Sequence, residues 1–169
     1  MFRYNGFKLF LLKILFGFVF IGLSAFLFIS ILTHNPNGPG IGKISGNEEI
    51  TNFFGFWGSI SSSLFLTLFG RMSLTLIAFI FYAGLLLFLG IKLGKAFLKF
   101  FLVILSIILF NFSLLLQHLF IFDLGLISKV FFDILIFYFP SIDEGLIHKV
   151  IISVIFLLAS LVMLLYCFS

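Results

Sequence analysis

The stretch Gly38-Pro39-Gly40-Ile41-Gly42-Lys43 comes nearest to a chemical motif in this chain, a glycine-rich loop whose backbone N–H groups cradle phosphate. The motif fails at both ends. Asn37 stands where its first glycine belongs, Ile44 follows the lysine where Ser or Thr would meet a magnesium ion, and no buried strand leads into it. His34, His118 and His148 are the three histidines, but none of their spacings suits a helical metal site and no cysteine pair assists. Cys167 is the single cysteine, which rules out an internal disulfide and reads as a small apolar residue at a helix end. Asn111 and His118 stand about two turns apart on one apolar run, a spacing that serves an interhelical hydrogen bond or a stretch of permeation path. Lys129 with Asp133, and Lys149 with Asp143 or Glu144, read as interfacial ion pairs of small individual worth. Asn111-Phe112-Ser113 has the form of a glycosylation sequon but sits inside a hydrophobic run. No nucleophile and base stand in reach of each other, so no catalytic, cofactor or metal site is expected.

The elements that would position these residues belong to a membrane. A chain of 169 residues that is 63% hydrophobic and 9% charged, with mean hydropathy +1.36, has too little polar surface for water as its solvent. Its length suits one all-α bundle of about four spanning helices. The first span is expected over about 14–32, ended by the prolines and glycines after Thr33. That run is longer than a signal-peptide core and no small-residue cleavage site follows, so it reads as retained.

From Trp57 to Ile91 the apolar run would reach roughly 52 Å as one helix, against a hydrocarbon core of about 30 Å. A break is therefore expected at Gly70-Arg71, giving a short helix over about 58–69 and a second span over about 72–91. Ser59, Ser63 and Thr67 recur every four residues along that short helix, with Gly55 one turn earlier, a stripe suited to close helix packing or to headgroups. A third span is expected over about 99–122, a second short helix over about 127–139, and a fourth span over about 146–166. The loops 33–57 and 123–145 join them. The 29 phenylalanines are the bulky apolar filling such a bundle demands.

Charge gives the orientation. Arg3, Lys8, Lys13, Lys92, Lys95 and Lys99 flank spans with no acid among them, whereas all six acidic residues fall in the other loops. The positive-inside rule then places both termini in the cytoplasm and the loops 33–57 and 123–145 outside. The same basic residues are explained by anchoring to the bilayer, with no nucleic-acid contact expected from them. Overlaying the halves at an offset of 70 residues repeats the order span, loop, short helix, span, as parallel copies. Gly55 falls over Gly125, Gly58 over Ser128, and Gly70-Arg71 over Pro140-Ser141.

The sequence Leu32 to Gly40, then Asn52-Phe53-Phe54-Gly55-Phe56-Trp57-Gly58-Ser59 and Leu68-Phe69-Gly70, resembles the N-terminal four-helix membrane domain of the FtsK/SpoIIIE DNA translocases. In that family a Ser-Tyr-Asp-Pro-x-Asp-Pro-Ser pattern opens the first loop, and Gly-x-x-Gly-Ala leads through Leu-Phe-Gly into the second span. Pro36 and Pro39 hold the proline positions here, and Gly55, Gly58 and Gly70 the glycines, while Thr33, His34 and Asn35 replace Ser-Tyr-Asp. Gly125-Leu126-Ile127-Ser128 through Asp133 is similar to the family's second short helix. The resemblance implies a non-catalytic inner-membrane anchor, with a linker and a hexameric DNA-pumping ATPase carried elsewhere in the family's chains. It also implies homo-oligomers, divisome membrane partners, and a role in cell division and chromosome segregation. The rival from another class is a small transporter or channel with a polar path near Asn111 and His118; an intramembrane enzyme is the weaker third.

Overall fold

The computed structural model describes residues 2–42, 50–91, 94–117, 123–140 and 145–169, with side chains from Phe7 onward. Among the described residues six α-helices follow in order: α1 (Phe2–Leu32), α2 (Gly55–Phe69), α3 (Ser73–Phe88), α4 (Ala96–Leu116), α5 (Leu126–Tyr138) and α6 (Leu146–Phe168). Four helical runs are long and apolar enough to cross a membrane, Phe7–Leu32, Gly55–Phe88, Ala96–Leu116 and Leu146–Phe168. The chain is a polytopic all-α membrane protein.

Several ends differ from expectation, each for a local reason. Helix α1 starts at Phe2, well before position 14, because the bilayer limits the apolar length of a span and not the length of the helix that carries it. Helix α3 stops at Phe88, short of 91, in a glycine stop: Gly90 adopts φ +75°, its N–H donates to the Leu87 carbonyl, and the Ile91 N–H reaches back to Leu86 at 2.8 Å. Helix α4 starts at Ala96, behind a left-handed Lys95, and ends at Leu116, so position 99 lies within its first turn. The break between α2 and α3 is a single 3₁₀ turn, Gly70–Met72, whose first residue has φ +62° and ψ −155°.

The helices form two antiparallel pairs, α1 with α3 and α4 with α6. Lipid tails are as apolar as these side chains, so association relies on close packing and on hydrogen bonds between helices. The two pairs use these means differently. Between α1 and α3 the backbones approach at glycines: a Cβ on Gly17 would lie 2.8 Å from the Gly84 carbonyl oxygen, and one on Gly84 would meet Ile21 at 3.0 Å. Between α4 and α6 the contacts are polar: Ser106 donates to the Ser160 carbonyl at 2.9 Å, and the Ser113 and Ser153 hydroxyls meet at 2.9 Å. Leu76, Phe79, Val103, Ile107 and Cys167 close the core between the pairs. Phe112 is fully buried and touches the rings of Phe131, Phe132 and Phe156, which ties α4 to α5 and α6.

Gly17→Ala is expected to cost about 2 kcal/mol, because backbone atoms of α3 leave its methyl no way to be accommodated. Gly22→Ala, with open space around the new methyl, is expected to be neutral or to stabilise by up to about 1 kcal/mol. Thermal unfolding of the two variants in detergent checks the difference.

The pairing fixes where the ends lie. Cys167 donates its thiol hydrogen to the Lys99 carbonyl at 3.3 Å, and Phe168 packs on Phe79 and Tyr82. Phe10 lies beside Gly90. Both ends of the chain and the α3–α4 turn therefore share one face of the bundle, the basic face. The described parts of the first loop, 33–42 and 50–54, lie with α2 and α5 on the opposite one, the loop face.

Candidate functional site

The polar residues converge on the loop face, where the long first loop lies on α2 and α2 crosses the start of α5. Asn35-Pro36-Asn37-Gly38 makes a turn: the Asn35 side chain accepts from the Asn37 N–H at 3.0 Å, and the Gly38 N–H closes on the Asn35 carbonyl at 3.0 Å. Proline at the second position pre-sets this geometry. The chain then descends onto α2, where Ser59 donates to the Pro39 carbonyl at 2.6 Å and Ser63 accepts from the Ile41 N–H at 3.2 Å. Ser62 lies beside them, 2.8 Å from His34 Nδ1. Gly38 and Gly40 permit this approach, since a Cβ on Gly38 would lie 3.1 Å from Ser59 Oγ and one on Gly40 would run into the Ser63 side chain. Gly38 and Gly40, two glycines of the stretch that imitates a phosphate-binding loop, are thus spacers for loop packing.

Ser59 and Ser63 of the serine stripe thus meet the first loop, through the Pro39 carbonyl and the Ile41 N–H. The extended backbone of the loop offers the hydroxyls N–H and C=O groups that have no helical partner. Thr67 lies outside this contact and is exposed. Ser62, which the period of four skips, belongs to it.

Asn52 anchors the far end of the loop. It is buried, donates to the carbonyls of Ser30 at 2.8 Å and Thr33 at 3.3 Å, and accepts from the Phe54 N–H at 3.1 Å. The last carbonyls of α1 have no partner within their own helix, and Asn52 supplies one. Its side chain packs against Gly58, where any Cβ would displace it. Gly55 differs from Gly58. Nothing stands near its missing side chain, and what it supplies is φ +61° at the start of α2.

At the centre of the face Gly70 and Gly125 bring two backbones into contact. The Arg71 N–H donates to the Asp123 carbonyl at 3.1 Å, and a Cβ on Gly125 would sit 2.5 Å from the Gly70 nitrogen and the Leu68 carbonyl oxygen. The amide nitrogen of Asn111 holds this crossing from below, donating to the Leu124 carbonyl at 2.8 Å and to Ser128 Oγ at 3.0 Å. Asn111 is fully buried, and its amide serves a structural hydrogen bond between α4 and the start of α5. Asn111 Oδ1 and Ser73 Oγ are the buried side-chain atoms left without a partner among the described residues.

Lys129 pairs with Asp123 at 3.4 Å, not with Asp133. Side chains on a helix lean toward its N-terminus, so Lys129 reaches back over the first turn to the carboxylate there. Both partners are more than half exposed, so the pair adds little stability. Asp133 is exposed further along α5. Of the remaining residues that stood out in the sequence, His118, Lys92, Asp143 and Glu144 lie outside the described residues, as does the side chain of Arg3. His148 sits at the start of α6 beside Gly145. Lys99 lies on the basic face with its ammonium 5.7 Å from the Tyr166 ring centre. Among the described residues no three His, Cys, Asp or Glu side chains gather as a metal site would require.

The family model for the 4TM region of DNA translocase FtsK/SpoIIIE matches residues 10–169. Neither a curated protein nor a solved structure matches the chain. The matched span takes in the first membrane-crossing run from residue 10 onward, the other three whole and the loop face that joins them, and the chain belongs to the family of the 4TM region of DNA translocase FtsK/SpoIIIE.

Proposed function

We propose that this domain is the non-catalytic anchor of an FtsK/SpoIIIE-type DNA translocase in a bacterial inner membrane, tethering a DNA-pumping motor at the division septum. The matched region is the membrane region of that family and not its ATPase motor. The observation that carries the proposal is the shared side of the two chain ends, which the α1–α3 and α4–α6 pairing brings to the basic face. Lys and Arg are retained in the cytoplasm, so that face is the one on which a motor would meet DNA. In this role the domain touches lipid and other membrane proteins, with homo-oligomers and divisome components as partners, and no nucleic acid directly.

Reporter fusions test the orientation: a fluorescent protein at either end is expected to mature, and alkaline phosphatase at either end to stay inactive. Active phosphatase at both ends would overturn the proposal. A fluorescent fusion is further expected to gather at the septum.

Asn111→Leu separates this role from transport. The variant is expected to insert and localise as the parent does, with thermal stability lowered by about 2 kcal/mol for the Leu124 carbonyl left unpaired. A solute or ion flux that the parent shows in vesicles and the variant loses would favour the transporter instead.

A further inference from the structure

The N-terminal end of α1 carries a feature that anchoring in general does not require. Helix α1 outruns its partner: α3 ends at Phe88, level with Gly17, and only the turn at Gly90 reaches as far as Phe10. Beyond that level Phe7 to Leu12 are exposed all round the helix. On one side of it Lys8, Leu11, Leu12 and Leu15 border a shallow, open depression of about 320 Å³. The spacing i, i+3, i+4, i+7 sets these four side chains in a single stripe along α1.

The stripe has the polarity of a lipid. Measured along the helix from Leu32, Leu15 lies about 26 Å away and Lys8 about 36 Å away, at 1.5 Å per residue. Against a hydrocarbon core of about 30 Å, Leu15 is then inside the core and Lys8 is at headgroup depth. The charge around it has one sign: the described residues of 2–33, 88–91, 94–100 and 160–169 that meet at this face include no acidic residue, and Lys8, Lys13, Lys95 and Lys99 are the basic side chains described there. A cation at the end of an apolar stripe, on a face whose described segments include no acidic residue, matches a phosphate joined to an acyl chain.

We propose that the N-terminal end of α1 is a binding site for an anionic phospholipid, with its phosphate at Lys8 and an acyl chain along Leu11, Leu12 and Leu15. The site selects lipid by net charge, because a zwitterionic headgroup carries its own cation and gains less from the basic field. The domain would accordingly concentrate anionic lipid at α1 wherever it resides in the membrane.

Native mass spectrometry of the full chain, released from micelles doped with phosphatidylglycerol or with phosphatidylcholine, tests the site. The parent is expected to retain phosphatidylglycerol in preference to phosphatidylcholine. Lys8→Gln is expected to reduce that retention about fivefold, the worth of one lysine near an anionic surface, and Lys8→Arg to preserve it. Lys99→Gln, on the α4–α6 side of the same face, adds to the field without touching the phosphate and is expected to lower retention far less than Lys8→Gln. Equal retention of the two lipids would overturn the proposal. So would an equal loss in Lys8→Gln and Lys99→Gln, which would mean a diffuse basic rim in place of a site, or a loss in Lys8→Arg as large as in Lys8→Gln.

Discussion

Gly70→Ala is expected to destabilise the bundle by about 3 to 4 kcal/mol, the sum of overpacking against backbone and of forcing a side chain into left-handed geometry. Gly70 has φ +62°, and its Cβ would lie 2.7 Å from the Asp123 carbonyl carbon and 2.8 Å from the Gly125 nitrogen. The obstructing atoms are main chain on both sides, so no rotamer change relieves them. Separating the backbones would also break the hydrogen bond from the Arg71 N–H to the Asp123 carbonyl. Gly125→Ala meets the same contact from the other side, at φ +73°. The double variant is therefore expected to cost less than the sum of the two singles, since both remove one contact. Gly55→Ala provides the control: φ is +61° but nothing lies near the missing side chain, so only the conformational part, about 1 kcal/mol, should appear. Denaturation of the four variants in detergent measures these differences. If Gly70→Ala and Gly55→Ala lost the same stability, the crossing would not be the tight contact described.

Asn52→Ala is expected to cost about 3 kcal/mol, with most of the loss felt in the first loop. The substitution leaves the Ser30 carbonyl buried without its donor and removes the acceptor of the Phe54 N–H. It also opens the space above Gly58 that the Asn52 side chain fills. Asn52→Asp is expected to fare almost as badly, because a carboxylate can still accept from Phe54 but cannot donate to Ser30 and would be buried with its charge. Proteolysis within residues 34–54 should speed up in both variants while the four spanning helices stay protected. Cleavage at the parental rate would show that the serine contacts on α2 hold the loop by themselves.

The consequences of these two substitutions were legible in the sequence to different degrees. Gly70 stands out because an apolar run of that length has to break and an arginine follows. Gly125 stands out under the 70-residue overlay, yet the overlay sets it against Gly55, while in space it meets Gly70. An internal repeat aligns equivalent positions, whereas contact between the copies joins positions that are not equivalent. Asn52 gave a weaker signal still, one polar residue in a polar loop, and only its burial marks it out. The serine stripe shows both sides of the matter: its period was plain, but a period states which side chains share a face and not what that face touches. Ser62 fell outside the period of four and was missed for that reason, although it joins Ser59 and Ser63 against the loop.

The sequence by itself determined the solvent, the number of spanning runs, the order of long and short helices and the separation of basic from acidic segments. Each follows from composition and from the thickness of a bilayer, quantities that add along the chain and need no knowledge of partners. Only the tertiary structure decided which helices pair, that Gly70 meets Gly125 and that the first loop settles on the serines of α2. It also decided that Lys129 turns back to Asp123. In a membrane, where apolar faces are nearly equivalent to one another and to lipid, such choices rest on close approach and on a few directed hydrogen bonds. Those depend on distances in space that spacing along the chain does not encode.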